Sequence, residues 1–431
     1  MASSTTYSNS SFTKTEAVSH NGMVATKDKL ATEAGLEILR MGGNAVDAGV
    51  ASCLAVGVVE PESSGVGGGG YMVFQMGEEG GVIGFPMKGP NAGTPDMYSL
   101  SGEPSVGSFG WAGVVNDENI HGYRSIAVPG CVAGLAEAHQ RFGNLPWSEV
   151  VAPAANIARN GFSPEWFTLY KLGGLSQMLL RYAELRETFM PDNQLPYGGI
   201  EAPNILKQPN LADTLDSIAR DGANSLYRGE LTENITRDIQ SNGGILTMQD
   251  FDQYKPFYWK DGLEFKYRGK TIRVPNYACA GITSAMTLKL LNKFDLSSMQ
   301  HNSIEVLHLY ISAARMAYAD RFEYIADPEF ADVPWQGLIS DTYTERRSNE
   351  IGVNCPSQFN PGNPWIEEGR DPKFVLESSK PRPDSGTTHL TVVDGEGNAV
   401  SITNTIMSGF GSGIIPKGTG IVMNNGMMWY D

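Results

Sequence analysis

Cysteine is scarce in this chain: four in 431 residues, at positions 53, 131, 279 and 355, with no C-x-x-C pair. That spacing excludes a dense disulfide scaffold or a paired-cysteine redox motif, and predicts four buried or inert thiols in a reducing compartment. Positive charge is also short. Lys plus Arg number 32 against 48 Asp plus Glu, a formal net charge of −16, so neither nucleic acid nor an anionic membrane surface is expected as the main partner. No apolar run reaches the roughly 18 residues of a membrane span without a charge or glycine, so no membrane span is expected. Residues 1–15 are rich in Ser and Thr but lack a basic start and an apolar stretch. They read as a ragged tail and not a secretory signal, which points to the cytoplasm or to a missing N-terminal piece. The six histidines form no H-E-x-x-H or other metal spacing, and neither a G-x-S-x-G elbow nor a G-x-x-x-x-G-K-[ST] loop occurs. No metal and no cofactor is expected.

What is present fits a soluble α/β enzyme with many tight turns: 41% hydrophobic residues and 50 glycines. The chain is long enough to bury one large core. Residues 24–41 predict an amphipathic helix with Leu30, Leu36 and Leu39 inward, ended by Gly42-Gly43. Asn44 is placed to cap a second helix, Ala45 to Val58, whose small and apolar residues predict burial on all sides. Gly65 to Gly70 matches G-x-G-x-x-G formally, but it leads into a strand at Tyr71 and reads as a glycine turn. Strands are expected at Tyr71–Gln75, at Gly81–Phe85 and on either side of Arg268-Gly269. Helices are expected over Pro129–His139, Ser148–Arg159, Leu231–Ser241, Thr283–Leu291 and Ile304–Tyr324. In the last, Leu307, Ile311, Ala314 and Tyr318 keep helical spacing.

Near the end of the chain a polar segment with Pro356, Pro361, Pro364, Pro372, Pro381 and Pro383 runs into Asp384-Ser385-Gly386-Thr387-Thr388-His389-Leu390-Thr391-Val392-Val393-Asp394. From Leu390 this reads as a buried strand, turned by Gly395-Glu396-Gly397-Asn398 into a second strand from Ala399. A long approach without structure is either functional or a plain surface loop. Cleavage between Gly386 and Thr387 would leave Thr387 with a free α-amine beside its own hydroxyl, which joins nucleophile and base in one residue. A Thr-Thr pair that only hydrogen-bonds and packs is the other reading. His389 points to the opposite face from Thr388.

The run Gly386-Thr387-Thr388-His389-Leu390-Thr391-Val392-Val393-Asp394, with Gly397-Asn398-Ala399-Val400, resembles the processing site of the γ-glutamyltransferase (glutathione hydrolase) family. Gly42-Gly43-Asn44-Ala45-Val46-Asp47-Ala48 and Val58-Val59-Glu60-Pro61 through Gly70-Tyr71-Met72 are similar to the same family's N-terminal signature. Val128-Pro129-Gly130 and Ala319-Asp320-Arg321 through Asp327-Pro328 also fit, in the same order. The resemblance implies the four-layer αββα sandwich of N-terminal nucleophile hydrolases. It also implies a proenzyme that splits into a large and a small subunit, with a dimer of such pairs possible. On this reading residues 16–386 are the large-subunit region, 354–386 its linker, and 387–431 the start of the small-subunit region.

The implied chemistry has two stages. The Thr387 hydroxyl attacks the Gly386 carbonyl and water releases the ester; the freed Thr387 then attacks an amide of a small-molecule, glutathione-like substrate. Thr405 falls where the family has a threonine that hydrogen-bonds the nucleophile. At the implied substrate positions the chain departs from the γ-glutamyl pattern. Pro86 stands at the place of the arginine that grips the α-carboxylate, with Lys88 nearby as a point cation. Met407 replaces an asparagine, and Asn425-Gly426 lead to Trp429 where an acid would bind the α-ammonium. These departures imply an acylase or amidase of cephalosporin or glutaryl type as an alternative. The chain ends at Asp431 before the family's oxyanion glycines, so a catalytically silent fragment is a further expectation.

Overall fold

The computed structural model describes residues 16–104, 112–197, 205–354, 356, 358–371 and 386–429. The expected tail, 1–15, and residues 372–385 of the expected linker lie outside the described residues.

The molecule is organised on a six-stranded antiparallel sheet. Its strands are β1 (Gly22–Ala25), β2 (Gly69–Met76), β3 (Glu79–Phe85), β6 (Phe257–Lys260), β9 (Gly386–Asp394) and β10 (Ala399–Met407), in the spatial order β1-β9-β10-β2-β3-β6. Two hairpins stand apart from it: β4 (Leu100–Pro104) with β5 (Ala112–Val114), and β7 (Leu263–Tyr267) with β8 (Lys270–Val274). The β9–β10 hairpin therefore lies inside the sheet, between β1 and β2. The last strands in sequence are central ones.

On one face lie α1 (Lys29–Arg40), α2 (Ala45–Val59), α3 (Cys131–Phe142) and α4 (Trp147–Asn160). All residues of α2 are buried, as its composition predicts. Its start is over-determined. The Asn44 side chain accepts from Val46 and Asp47 N–H, and Asp47 returns a bond to Asn44 N–H, a reciprocal cap. Asp394, at the end of β9, adds its carboxylate to Ala45 N–H at 3.0 Å. On the sheet's other side Arg273 of β8 donates to the Phe74 carbonyl and the Gln75 side chain. Behind β7–β8 pack the helices Ala280–Leu291 and Ile304–Tyr324, around a second apolar cluster that includes Phe265, Met286 and Met316. The order helix, sheet, sheet, helix is the αββα arrangement.

Two local expectations are corrected. Residues 22–25 form the edge strand β1, and the first helix begins only at Lys29, where the Asp28 carboxylate accepts from Leu30 N–H at 2.7 Å. An aspartate cap inside the supposed helix marks its true start. In α1 the fully buried face is Ala31, Ala34, Gly35 and Ile38, with Leu30, Leu36 and Leu39 packed at its margin. Helix Ile304–Tyr324 carries two apolar stripes. Leu309, Ala313, Met316 and Ala317 face inward, while Leu307, Ile311 and Tyr318 are exposed. Helical spacing identified the element, but the neighbouring helix Ala280–Leu291 selected the face.

Candidate active site

The site is built where β10 pairs with the start of β9. Along β9 the residues alternate: Thr388, Leu390 and Val392 are buried toward α2, while Thr387 and His389 lie on the opposite, open face. In the register Thr387 is opposite Thr405 and His389 opposite Thr403. The Thr387 hydroxyl donates to Thr405 Oγ1 at 3.2 Å. His389 Nδ1 meets Thr403 Oγ1 at 2.8 Å, which occupies the imidazole in the sheet surface.

The ladder breaks immediately after Thr405. Gly386 pairs with Met407 and not with Ile406, a bulge that turns the chain. Met407 takes φ 82° and Phe410 φ 59°, a conformation that non-glycine residues rarely hold. Met407 N–H donates to Thr405 Oγ1 at 2.9 Å, so the hydroxyl that partners Thr387 is oriented by backbone. The approach of β2 is equally tight. A Cβ on Gly68 would lie 2.1 Å from the Thr405 carbonyl, and one on Gly70 would lie 1.9 Å from that of Thr403. The glycine run read as a turn is what lets β2 pair with β10 across from Thr387.

Met407 is buried with Ile120 and Met428, and Met87 packs on them. This small apolar cluster is separate from both main cores. Asn425 is fully buried; its amide donates to the Ile120 carbonyl and the Ser408 hydroxyl and accepts from Ser408 N–H. Gly426 donates its N–H to Asn424 Oδ1 at 2.8 Å. Both therefore brace the turn that faces Thr405. Trp429 closes this turn, and its side chain lies outside the described part of the structure. The Lys88 ammonium is 3.4 Å from Glu329, with both side chains more than half exposed, a pairing of small energetic worth. The structure thus gathers Thr387, Thr405, Met407, Asn425 and Gly426 at one end of the hairpin, and turns Lys88 toward the loop after Ile304–Tyr324. Among the described residues no group of His, Cys, Asp and Glu could hold a metal ion.

A reading of the sequence passes over Glu60 and Glu62, which lie in the turn under Thr388. Glu60 forms an ion pair with Lys27 at 3.0 Å, yet burial still raises its pKa against the pull of that lysine. Burial pushes the Glu62 carboxyl up to about 7. Their signal was present, since two carboxylates close an apolar helix, but only the fold shows that both are enclosed.

A family model described as Gamma-glutamyltranspeptidase matches residues 31–430. The chain is 32% identical over 415 residues to the glutathione hydrolase proenzyme of Escherichia coli (strain K12), covering 94% of this chain and 66% of that protein. It is 33% identical over 422 residues to the Acylase ACY 1 proenzyme of Pseudomonas sp. (strain V22), covering 97% of this chain and 71% of that protein. Its fold is similar to the crystal structure of cephalosporin acylase from Bacillus halodurans, with a TM-score of 0.82 at 27% identity over 98% of this chain and 73% of the other. The chain spans about two thirds of the length of the curated relatives it matches.

Proposed function

The chain belongs to the gamma-glutamyltranspeptidase family, and from that premise we propose that it is a proenzyme which cleaves itself between Gly386 and Thr387 and then acts on amides through Thr387. The observation that carries this reading is the Thr387–Thr405 hydroxyl pair at 3.2 Å, with Thr405 itself held by Met407 N–H. In the first stage the Thr387 oxygen bonds to the Gly386 carbonyl carbon and the C–N bond breaks. The proton passes to the released amine, and water hydrolyses the ester. In the second stage the same hydroxyl attacks a substrate amide, with the α-amine of Thr387 carrying the proton to the leaving amine. Water or an acceptor amine then resolves the acyl-enzyme. Because β9 is paired on both sides, a small chain beginning at Thr387 would stay seated in the sheet of the large one.

For the substrate, γ-glutamyl amides of glutathione type are the first reading. A second is favoured by the apolar cluster of Met87, Ile120, Met407 and Met428 beside Thr405. Thioether and aliphatic side chains offer an α-amino acid no charge to pair with, which favours an acylase acting on less polar acyl groups.

The test is N-terminal sequencing of the protein after incubation, with Thr387→Ala in parallel. A new chain that begins at Thr387, and no splitting in the variant, is the expected result. An unsplit protein that turns over amides, or a variant that splits at the same bond, would overturn the reading.

A further inference from the structure

The turn from Glu60 to Gly65 joins α2 to β2 and suspends the far side of the site. Its carbonyls accept three bonds from the end of β10 and the turn beyond it. Gly65 takes the Asn404 amide at 3.3 Å, Ser63 takes Ile406 N–H at 3.3 Å, and Glu62 takes Phe410 N–H at 3.1 Å. Thr405 and Met407 lie between these anchor points. In the same turn Glu60 is 2% exposed and Glu62 1%. One Glu60 oxygen faces Lys27; the other, and both carboxyl oxygens of Glu62, have no well-formed hydrogen bond.

We propose that Glu62 is a positioning residue, whose carboxyl must be neutral for the turn to hold Asn404–Phe410 in place opposite Thr387. The charge balance around it supports this. Lys27 and Asp28 face the pair from the β1–α1 junction, and the Thr388 hydroxyl lies against Glu60 from β9. Lys171 comes from α5 (Trp166–Gly174), and with Lys27 it flanks the Phe167 ring, at 5.8 and 4.4 Å from the centroid. Lys27 is committed to Glu60, which leaves Glu62 without a close cation. Burial then decides its state, raising it to about 7 against the pull of its own backbone N–H first and the weaker pull of Lys27 and Lys171. A second negative charge here has to be hydrated or paired, and the turn can meet that demand only by moving toward water. Its carbonyls move with it. The sign follows from the shift. Glu62 is raised from 4.5 to about 7, so its contribution to stability is complete below pH 4.5 and is lost as pH rises to about 7.

The experiment compares the full-length protein with Glu62→Gln, which is neutral at every pH. Urea-unfolding midpoints are measured from about pH 4.5 to 8, alongside the rate at which a chain beginning at Thr387 appears. In the wild type the midpoint falls across that range and splitting slows about tenfold per pH unit above about pH 7, as the neutral form is depleted; in the variant both slopes flatten. Equal slopes in the two proteins would overturn the inference. If the variant does not fold, a carbon-13 titration of the wild-type glutamate carboxyls replaces it. A Glu62 midpoint near 7 is expected, and one near 4.5 overturns the inference. The splitting arm rests on Thr387 as nucleophile, and the unfolding arm does not. A flattened unfolding slope with no splitting at any pH would reject the proposed function and keep Glu62 in its role.

Discussion

Met407 donates its backbone N–H to Thr405 Oγ1 over 2.9 Å from a left-handed conformation, φ 82°. The bulge that creates this conformation also buries the Met407 side chain against Ile120 and Met428. One residue thus links the wall of the site to the hydroxyl that partners Thr387. The strain of holding a non-glycine residue here is about 1 kcal/mol or more, and the buried thioether offsets it.

That balance predicts an inverted order of stability. Met407→Ala loses the packing and keeps the strain, costing about 2–5 kcal/mol. Met407→Gly loses the same packing but relieves the strain, so it should be the less damaged of the two by about 1 kcal/mol. Urea denaturation of both variants measures the difference. Alanine proving the milder change would show that the left-handed conformation is not maintained.

The close pairing of β2 with β10 makes a second prediction. Gly70→Ala places a methyl 1.9 Å from the Thr403 carbonyl, where the nearest atoms are all backbone of β10 and cannot give way. It should cost more than about 4 kcal/mol or prevent soluble expression. Gly77→Ala, at φ 57° with nothing near its added methyl, pays only the conformational penalty of about 1 kcal/mol. Thermal melting of the pair separates close approach from turn strain, and similar losses in both would contradict the account.

Specificity gives the third. On the acylase reading, with Met407 buried among apolar groups and Asn425 fully engaged in bracing its turn, a γ-glutamyl anilide should gain little over its des-amino glutaryl analogue. A site that reads the α-amino group would separate them by roughly 10⁴-fold. Comparison of kcat/KM for the two anilides decides between the readings. A preference of several orders of magnitude for the γ-glutamyl compound would favour the glutathione hydrolase reading over the acylase one.

Much of the architecture is legible in the residues themselves. The Asn44 cap, the all-buried α2, the β7–β8 hairpin about Arg268-Gly269 and the β9–β10 hairpin follow from local rules of capping, period and turn chemistry. So does the presence of a helix over Ile304–Tyr324. Local rules do not say which of two apolar stripes on that helix is covered, because that depends on the helix it meets. They also miss β1, a short strand whose partner among the described residues, β9, is far away in sequence.

At the site the division is the same. The sequence alone determined that Thr387 follows a glycine at the head of a strand and that Thr405 lies on the returning strand, because a hairpin's register follows from its turn. Tertiary structure decided what surrounds them. Asp394 became a cap for α2 because the hairpin lies across that helix's N-terminus. Met407 became backbone support because a bulge falls beside it. Glu62 became an enclosed acid because α2, β9 and β10 close over its turn. A carboxyl's charge depends on the water it can reach, and only the packed chain determines that.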